Sequence, residues 1–161
     1  MKKLLIVLLV IILLTSHAMA VESSWRVFDN AGLFTAEEIA KIELEIKAFQ
    51  QEANMDYVVL TTDDFLGIDI QMHIADNFYD YGAFGYGSKN SGILEYIDMN
   101  QRVHYYSTTG DAINCISNDV LSIMLDSSQQ SLSANNFAGG ILISIQIAKE
   151  AILKRNEAAV K

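Results

Sequence analysis

Apolar positions along the chain fall into alternating periods of helix and strand. Thr35-Ala36-Glu37-Glu38 has the form of a capping box, in which a threonine hydroxyl and a glutamate carboxylate three residues on satisfy each other's backbone amides. Ile39, Ile42, Ile46 and Phe49 then recur at three- and four-residue steps, predicting a helix that continues to about Ala53. Asp56 to Thr62 is rich in β-branched and aromatic residues and predicts a buried strand. From Ile68 to Tyr81 the helical period returns. Ile70, Ile74, Phe78 and Tyr81 form its expected apolar side, with Met72, Ala75 and Tyr79 along the flank.

Gly92 to Ile97 and Arg102 to Ser107 predict two antiparallel strands joined through Asp98-Met99-Asn100-Gln101, a polar turn of hairpin length. Ile113 to Leu125 and Asn135 to about Arg155 show helical spacing again. The order α-β-α-β-β-α-α predicts an α/β fold, a three-layer αβα sandwich around a small mixed sheet. Its strand-helix-strand unit should be parallel and right-handed. The apolar run Gly139 to Ile147 is broken by Ser144 and Gln146 and is too short to span a bilayer, so it reads as a core helix.

The N-terminus changes where this fold is expected to work. Lys2 and Lys3, the apolar run Leu4 to Leu14 and the small-residue site Ala18-Met19-Ala20 have the layout of a secretory signal peptide. Residues 1–20 are therefore expected to direct export, residues 21–155 to form one domain, and residues 156–161 to be a polar tail. The expected location is secreted or at the cell envelope, with no transmembrane helix in the mature chain. Loss of Lys2 and Lys3 from the 11 basic residues leaves 9 against 20 acidic ones, a formal charge of −11. Such a surface repels nucleic acid. Cys115 is the single cysteine, so no intrachain disulfide exists, and its setting Ala112-Ile113-Asn114-Cys115-Ile116 reads as a small buried hydrophobe.

The glycine-rich stretch Gly82-Ala83-Phe84-Gly85-Tyr86-Gly87-Ser88-Lys89 approaches a phosphate-binding loop but has Ser and Lys exchanged, and it follows a helix instead of opening one. No nucleotide or organic cofactor is expected. Asp69, His73, Asp76 and Asp80 share one stripe of their helix and read as a solvated face. Asp80 is the exception, since a carboxylate at a helix C-terminus is unfavourable and invites a cation or an amide. Tyr79, Tyr81, Phe84 and Tyr86 crowd the same segment, where they either pack back onto the sheet or meet a partner.

Several separate stretches resemble the TPM domain family. Val27-Phe28-Asp29-Asn30-Ala31-Gly32-Leu33-Phe34-Thr35 is similar to the family's opening motif. Tyr79-Asp80-Tyr81-Gly82 through Gly87 is similar to its aspartate and glycine element. Ser91-Gly92-Ile93-Leu94 with Asn100-Gln101-Arg102-Val103 is similar to its central strand and turn, and Thr109-Gly110-Asp111-Ala112-Ile113 with Asn118-Asp119 to its later loop. The likeness runs from about Val27 to Ile152. Glu95 and Tyr96 depart from the family's apolar strand, and Asn100 from its acidic turn residue.

The resemblance implies an αβα sandwich outside the cytoplasm, acting as a binding or accessory module on an extracytoplasmic or membrane protein. It also implies a calcium site. Asp29, Asp80, Asp98, Asp111 and Asp119 are the candidate ligands, because dispersed loop oxygens suit calcium's six to eight irregular ligands. The alternative is a metal-assisted acid phosphatase acting on phosphate esters at the same cluster, with Asp80, Lys89 and Arg102 as its candidate catalytic residues.

Overall fold

The structure, a computed structural model, describes residues 25–64, 67–82 and 84–159; the expected export signal lies outside them. The capping box forms as predicted. Thr35 Oγ1 accepts from the Glu38 amide at 3.2 Å, the Glu38 carboxylate accepts from the Thr35 amide at 2.8 Å, and helix α1 runs Ala36–Ala53. Strand β2 (Asp56–Thr62) and helix α2 (Ile68–Tyr81) follow, then a 3-10 turn (Gly87–Lys89) and the antiparallel strands β3 (Gly92–Asp98) and β4 (Val103–Thr109). Helices α3 (Ala112–Cys115), α4 (Asn118–Ser133) and α5 (Phe137–Ala159) complete the chain.

The sheet has a further strand, β1 (Val27–Asp29), in the stretch before α1. Three residues are too few to show a period, so only its pairing with β2 marks it as a strand. The sheet order is β1-β2-β3-β4, parallel through the first three strands and antiparallel at the last.

Strand alternation divides the core into two faces. Tyr57 and Val59 of β2, with Ile93 and Ile97 of β3, pack against Ile42, Ile46 and Phe49 of α1 and Ile141, Ile145 and Ile152 of α5. Val58, Leu60, Leu94 and Tyr96 face the other way, onto Ala75 and Tyr79 of α2 and the loop residue Phe84. Helices therefore cover both faces, which gives the three layers. Strands β1, β2 and β3 step across the sheet in one direction while α1 and α2 lie on opposite sides of it. The two crossovers are thus of opposite hand, and one departs from the right-handed rule.

Two helix expectations are corrected. The period from Ile113 to Leu125 belongs to two helices, because the chain turns extended at Ile116 and restarts where Ser117 caps the Val120 amide. The last helix continues past Arg155 to Ala159. Among the described residues no helix is long and apolar enough to cross a membrane.

Helix α2 has the predicted bounds and a rotated face. Gln71, Ala75 and Tyr79 are its buried positions, while Ile70, Ile74 and Tyr81 point to solvent. The loop explains the rotation: Phe84 folds back among Phe28, Phe78 and Tyr79, filling the apolar space beside the sheet. Gly92 supplies the other half, since a Cβ there would collide with the Tyr79 hydroxyl.

Candidate functional site

The polar groups named above gather at the two ends of the sheet and at one place inside it. At the carboxyl ends of the parallel strands, Asp29 and Asp98 organise turns. Asp29 Oδ1 accepts from the Leu33 amide at 2.9 Å and the Thr61 hydroxyl at 2.6 Å, and Oδ2 accepts from the Phe34 amide at 2.9 Å. This carboxylate fixes the loop that delivers Thr35 to the start of α1. Asp98 Oδ1 accepts from the amides of Asn100 and Gln101, each at 2.8 Å, which bends the hairpin into Arg102. Arg102 takes the left-handed conformation, with φ 57°.

At the opposite end the glycine-rich loop is held by a residue that composition did not single out. Asp56 is buried and accepts from Arg26 Nε (2.9 Å), Gln50 Nε2 (2.7 Å), the Gly85 amide (2.8 Å) and its neighbour's amide on Tyr57 (2.9 Å). The Arg26 guanidinium also lies over the Phe84 ring, 5.1 Å from its centre. Gly85 has φ 105°, and a side chain there would collide with the Asn90 backbone, so this glycine is required for the fold of the loop. Lys89 Nζ pairs with Asp111 Oδ1 at 2.7 Å on the surface. Asp80 is exposed at the end of α2, and Asp119 is exposed in the first turn of α4, where the helix dipole favours it.

The five aspartates therefore do not meet as one calcium cluster. Asp29 and Asp98 are committed to amides at one end of the sheet, and Asp80 and Asp111 belong to the other. Among the described residues no three His, Cys, Asp or Glu side chains lie together as a metal site. The candidate phosphatase residues are divided in the same way. Lys89 precedes β3 and Arg102 follows it, so the length of a seven-residue strand, roughly 20 Å, separates them.

A third polar group lies inside the fold. Glu95 is fully buried on the α5 side of β3, where its carboxylate accepts from Tyr57 Oη (2.6 Å) and Tyr106 Oη (3.1 Å) and meets His104 Nε2 at 2.8 Å. Sheet register brings them together, since Glu95 lies opposite Tyr106, and Ile97 opposite His104, on one face. Ser144 of α5 closes the group, with its Oγ 2.7 Å from Tyr106 Oη. Burial first, and then the negative charge of Glu95, push the Tyr57 and Tyr106 hydroxyls far above the usual phenol range. A glutamate in the middle of Gly-Ile-Leu-Glu-Tyr-Ile was the available signal: a charge on a buried strand needs partners, and β4 supplies them. Cys115 is half-buried, and desolvation raises its thiol, which does not suit a nucleophile.

Comparison with known proteins adds the family. The sequence model of the TPM domain matches residues 27–151. The NMR structure of the BA42 protein from the psychrophilic bacterium Bizionia argentinensis is similar, with TM-score 0.63 and 20% identity over 75% of this chain and 82% of that one. The N-terminal domain of a protein from P. gingivalis is similar with TM-score 0.69 and 16% identity, over 85% of this chain and 87% of that one. At these identities the likeness is one of fold. No curated protein sequence matches this one.

Proposed function

The chain belongs to the TPM domain family, and from that premise we propose that it is an exported binding module that docks a partner protein on the outward face of α2. The observation that carries this reading is the rotated helix. Ile70, Ile74 and Tyr81 are 57%, 45% and 85% exposed. At 100° per residue they fall within about 40° of one another, so three large apolar side chains line one solvent-facing stripe. Apolar side chains collected on one exposed face mark interaction surfaces more often than singly scattered ones do.

Charge selects the occupant. Asp69 and Asp80 flank the stripe, and the whole chain carries a formal −9. A partner segment with apolar side chains set between lysines or arginines complements this face in both respects. Export rests on the layout of Lys2-Lys3, Leu4 to Leu14 and Ala18-Met19-Ala20. The acid phosphatase alternative has no comparable support, because Asp80, Lys89 and Arg102 are not brought to one place.

The test places a photo-crosslinking side chain at position 74, or at position 41 on α1 as control, in cells expressing the full chain. A partner joined from position 74 and not from 41 should then bind the purified domain with an affinity that falls about tenfold or more in Ile74→Asp and weakens with added salt. Equal capture from both positions, or an affinity indifferent to Ile74→Asp, would remove α2 as the docking face.

A further inference from the structure

Strand β4 borders the sheet, and the ladders on its inner side fix which of its backbone groups face outward. The Asp56 amide donates to the Ser91 carbonyl at 2.9 Å and the Met99 amide to the Thr62 carbonyl at 2.8 Å, so the odd-numbered residues of β3 direct their backbone groups to β2. The even-numbered residues of β3 therefore serve β4, where they pair with Val103, Tyr105, Ser107 and Thr109. His104, Tyr106 and Thr108 each keep an N–H and a C=O directed away from the sheet, and among the described residues no group meets them. We propose that this edge takes up an extended segment of a partner protein as a fifth strand, with lysine or arginine at alternate positions on its α2 side.

The make-up of the edge is the first support. Strands that are to remain single at a border carry a lysine, a proline or a bulge. Val103-His104-Tyr105-Tyr106-Ser107-Thr108-Thr109 has none of these, and its residues pair one to one with β3 along the whole strand. Val103, Tyr105, Tyr106, Thr108 and Thr109 are β-branched or aromatic, which keeps the edge extended and ready to pair. Addition of a strand to such an edge gains affinity from the main chain and specificity from every second side chain.

Charge names the occupant. Helix α2 packs Phe78 against Phe28 of β1 on one flank; on the other, Asp76 Oδ1 accepts from Tyr105 Oη of β4 at 3.2 Å. At 100° per residue Asp69 and Asp80 fall within about 40° of Asp76, so the three carboxylates run along the β4 flank of the helix. Asp69 and Asp80 are exposed, and none of the three has an ion pair among the described residues. They extend over about 16 Å of helix, a length that suits an extended chain and not a single ion. Asp76 and Asp80 are about 6 Å apart along the axis, while same-side residues of a strand recur about every 6.6 Å, so successive cations on an added strand match them. A second copy of this chain would bring an identical acidic row and a formal −9 to the same edge, which charge opposes.

The test uses the full chain, purified as the expressing cell processes it, and end-blocked peptides of about seven residues that alternate lysine with threonine or valine. The lysine peptide should bind with a dissociation constant of order 0.1 mM, shift the amide resonances of His104, Tyr106 and Thr108, and weaken with added salt. The same peptide with glutamate for lysine should not bind. Methylation of the backbone nitrogens in one alternate set should abolish binding, and in the other should leave it, because only every second residue of an added strand turns its N–H to β4. Asp69→Asn together with Asp80→Asn should weaken the lysine peptide about tenfold. Thr108→Pro removes an outward N–H that β3 does not use, so the ladder should persist while the peptide is lost. If that variant does not fold, the methylated peptides decide. Glutamate binding as tightly as lysine, equal effects of the two methylations, unchanged affinity in a folded variant, no saturable shift, or self-association that the peptide does not displace would each overturn the proposal. None of these changes alters Ile70, Ile74 or Tyr81, so failure here leaves the docking face of α2 standing.

Discussion

Single carboxylates in this protein differ most in how many donors each has collected. Asp56 is buried with a guanidinium, a side-chain amide and two backbone amides around it, while Asp80 stands exposed at a helix end. Removal of Asp56 takes the acceptor from the Gln50 side-chain amide and the Gly85 amide and the buried counter-charge from Arg26. Asp56→Ala is therefore expected to cost about 3–5 kcal/mol in urea denaturation, the penalty of breaking one side of a buried ion pair. Asp80→Ala should change stability by less than about 0.5 kcal/mol in the same measurement. The Glu95 group makes a prediction in pH. Folding raises the pKa of Tyr57 and Tyr106, so the native state holds their protons after the unfolded chain begins to release them near pH 10. Their contribution is complete below that pH and is lost as pH rises above it, at about 1.4 kcal/mol per pH unit for each tyrosine. Urea midpoints measured from about pH 9 to pH 11 should fall accordingly, and Tyr57→Phe combined with Tyr106→Phe should flatten the decline.

Elements were legible in proportion to their length and to the strength of their local signals. Thr35 to Glu38 announced α1 because both halves of a capping box lie within one turn. Asp56 to Thr62 announced β2 because Tyr57, Val58, Val59, Thr61 and Thr62 are β-branched or aromatic. Strand β1 was not legible: three residues carry no period, and their pairing with β2 is a long-range contact. The break at Ile116–Ser117 was hidden by apolar residues on both sides of it, although Ser117 was a cap in plain view. In α2 the bounds could be read and the rotation could not. Ile70, Ile74 and Tyr81 are the more apolar choice, but Ala75 and Tyr79 fit closer to the sheet once Phe84 and Gly92 define the space. A helix-period count registers hydrophobicity and not the shape that receives it.

Across the whole molecule, the layered architecture followed from element order, whereas the candidate site did not. The sequence supplied the aspartates; only the sheet shows that Asp29 and Asp98 belong to one end of it and Asp111 to the other. That separation has a thermal consequence. A calcium ion bound only by the native state at a hundred times its dissociation constant would stabilise it by about 2.7 kcal/mol, several degrees in Tm for a domain of this size. With the aspartates divided between the two ends of the sheet, and Asp29 and Asp98 committed to amides, millimolar calcium is expected to leave Tm within about 1 °C. A scanning calorimetry series with calcium and with chelator checks this, and a rise of several degrees would show that a ligand set assembles after all.

The unequal margins of the sheet bear on how copies of the protein could aggregate. One border is the seven-residue β4, and among the described residues no strand pairs with its outer side; the other is β1, with three residues. Two molecules could join β4 to β4 as a continuous eight-stranded sheet, but the borders left over would be two short β1 segments with little backbone to offer a third. Assembly by strand addition would therefore terminate at a closed pair instead of propagating into a fibre.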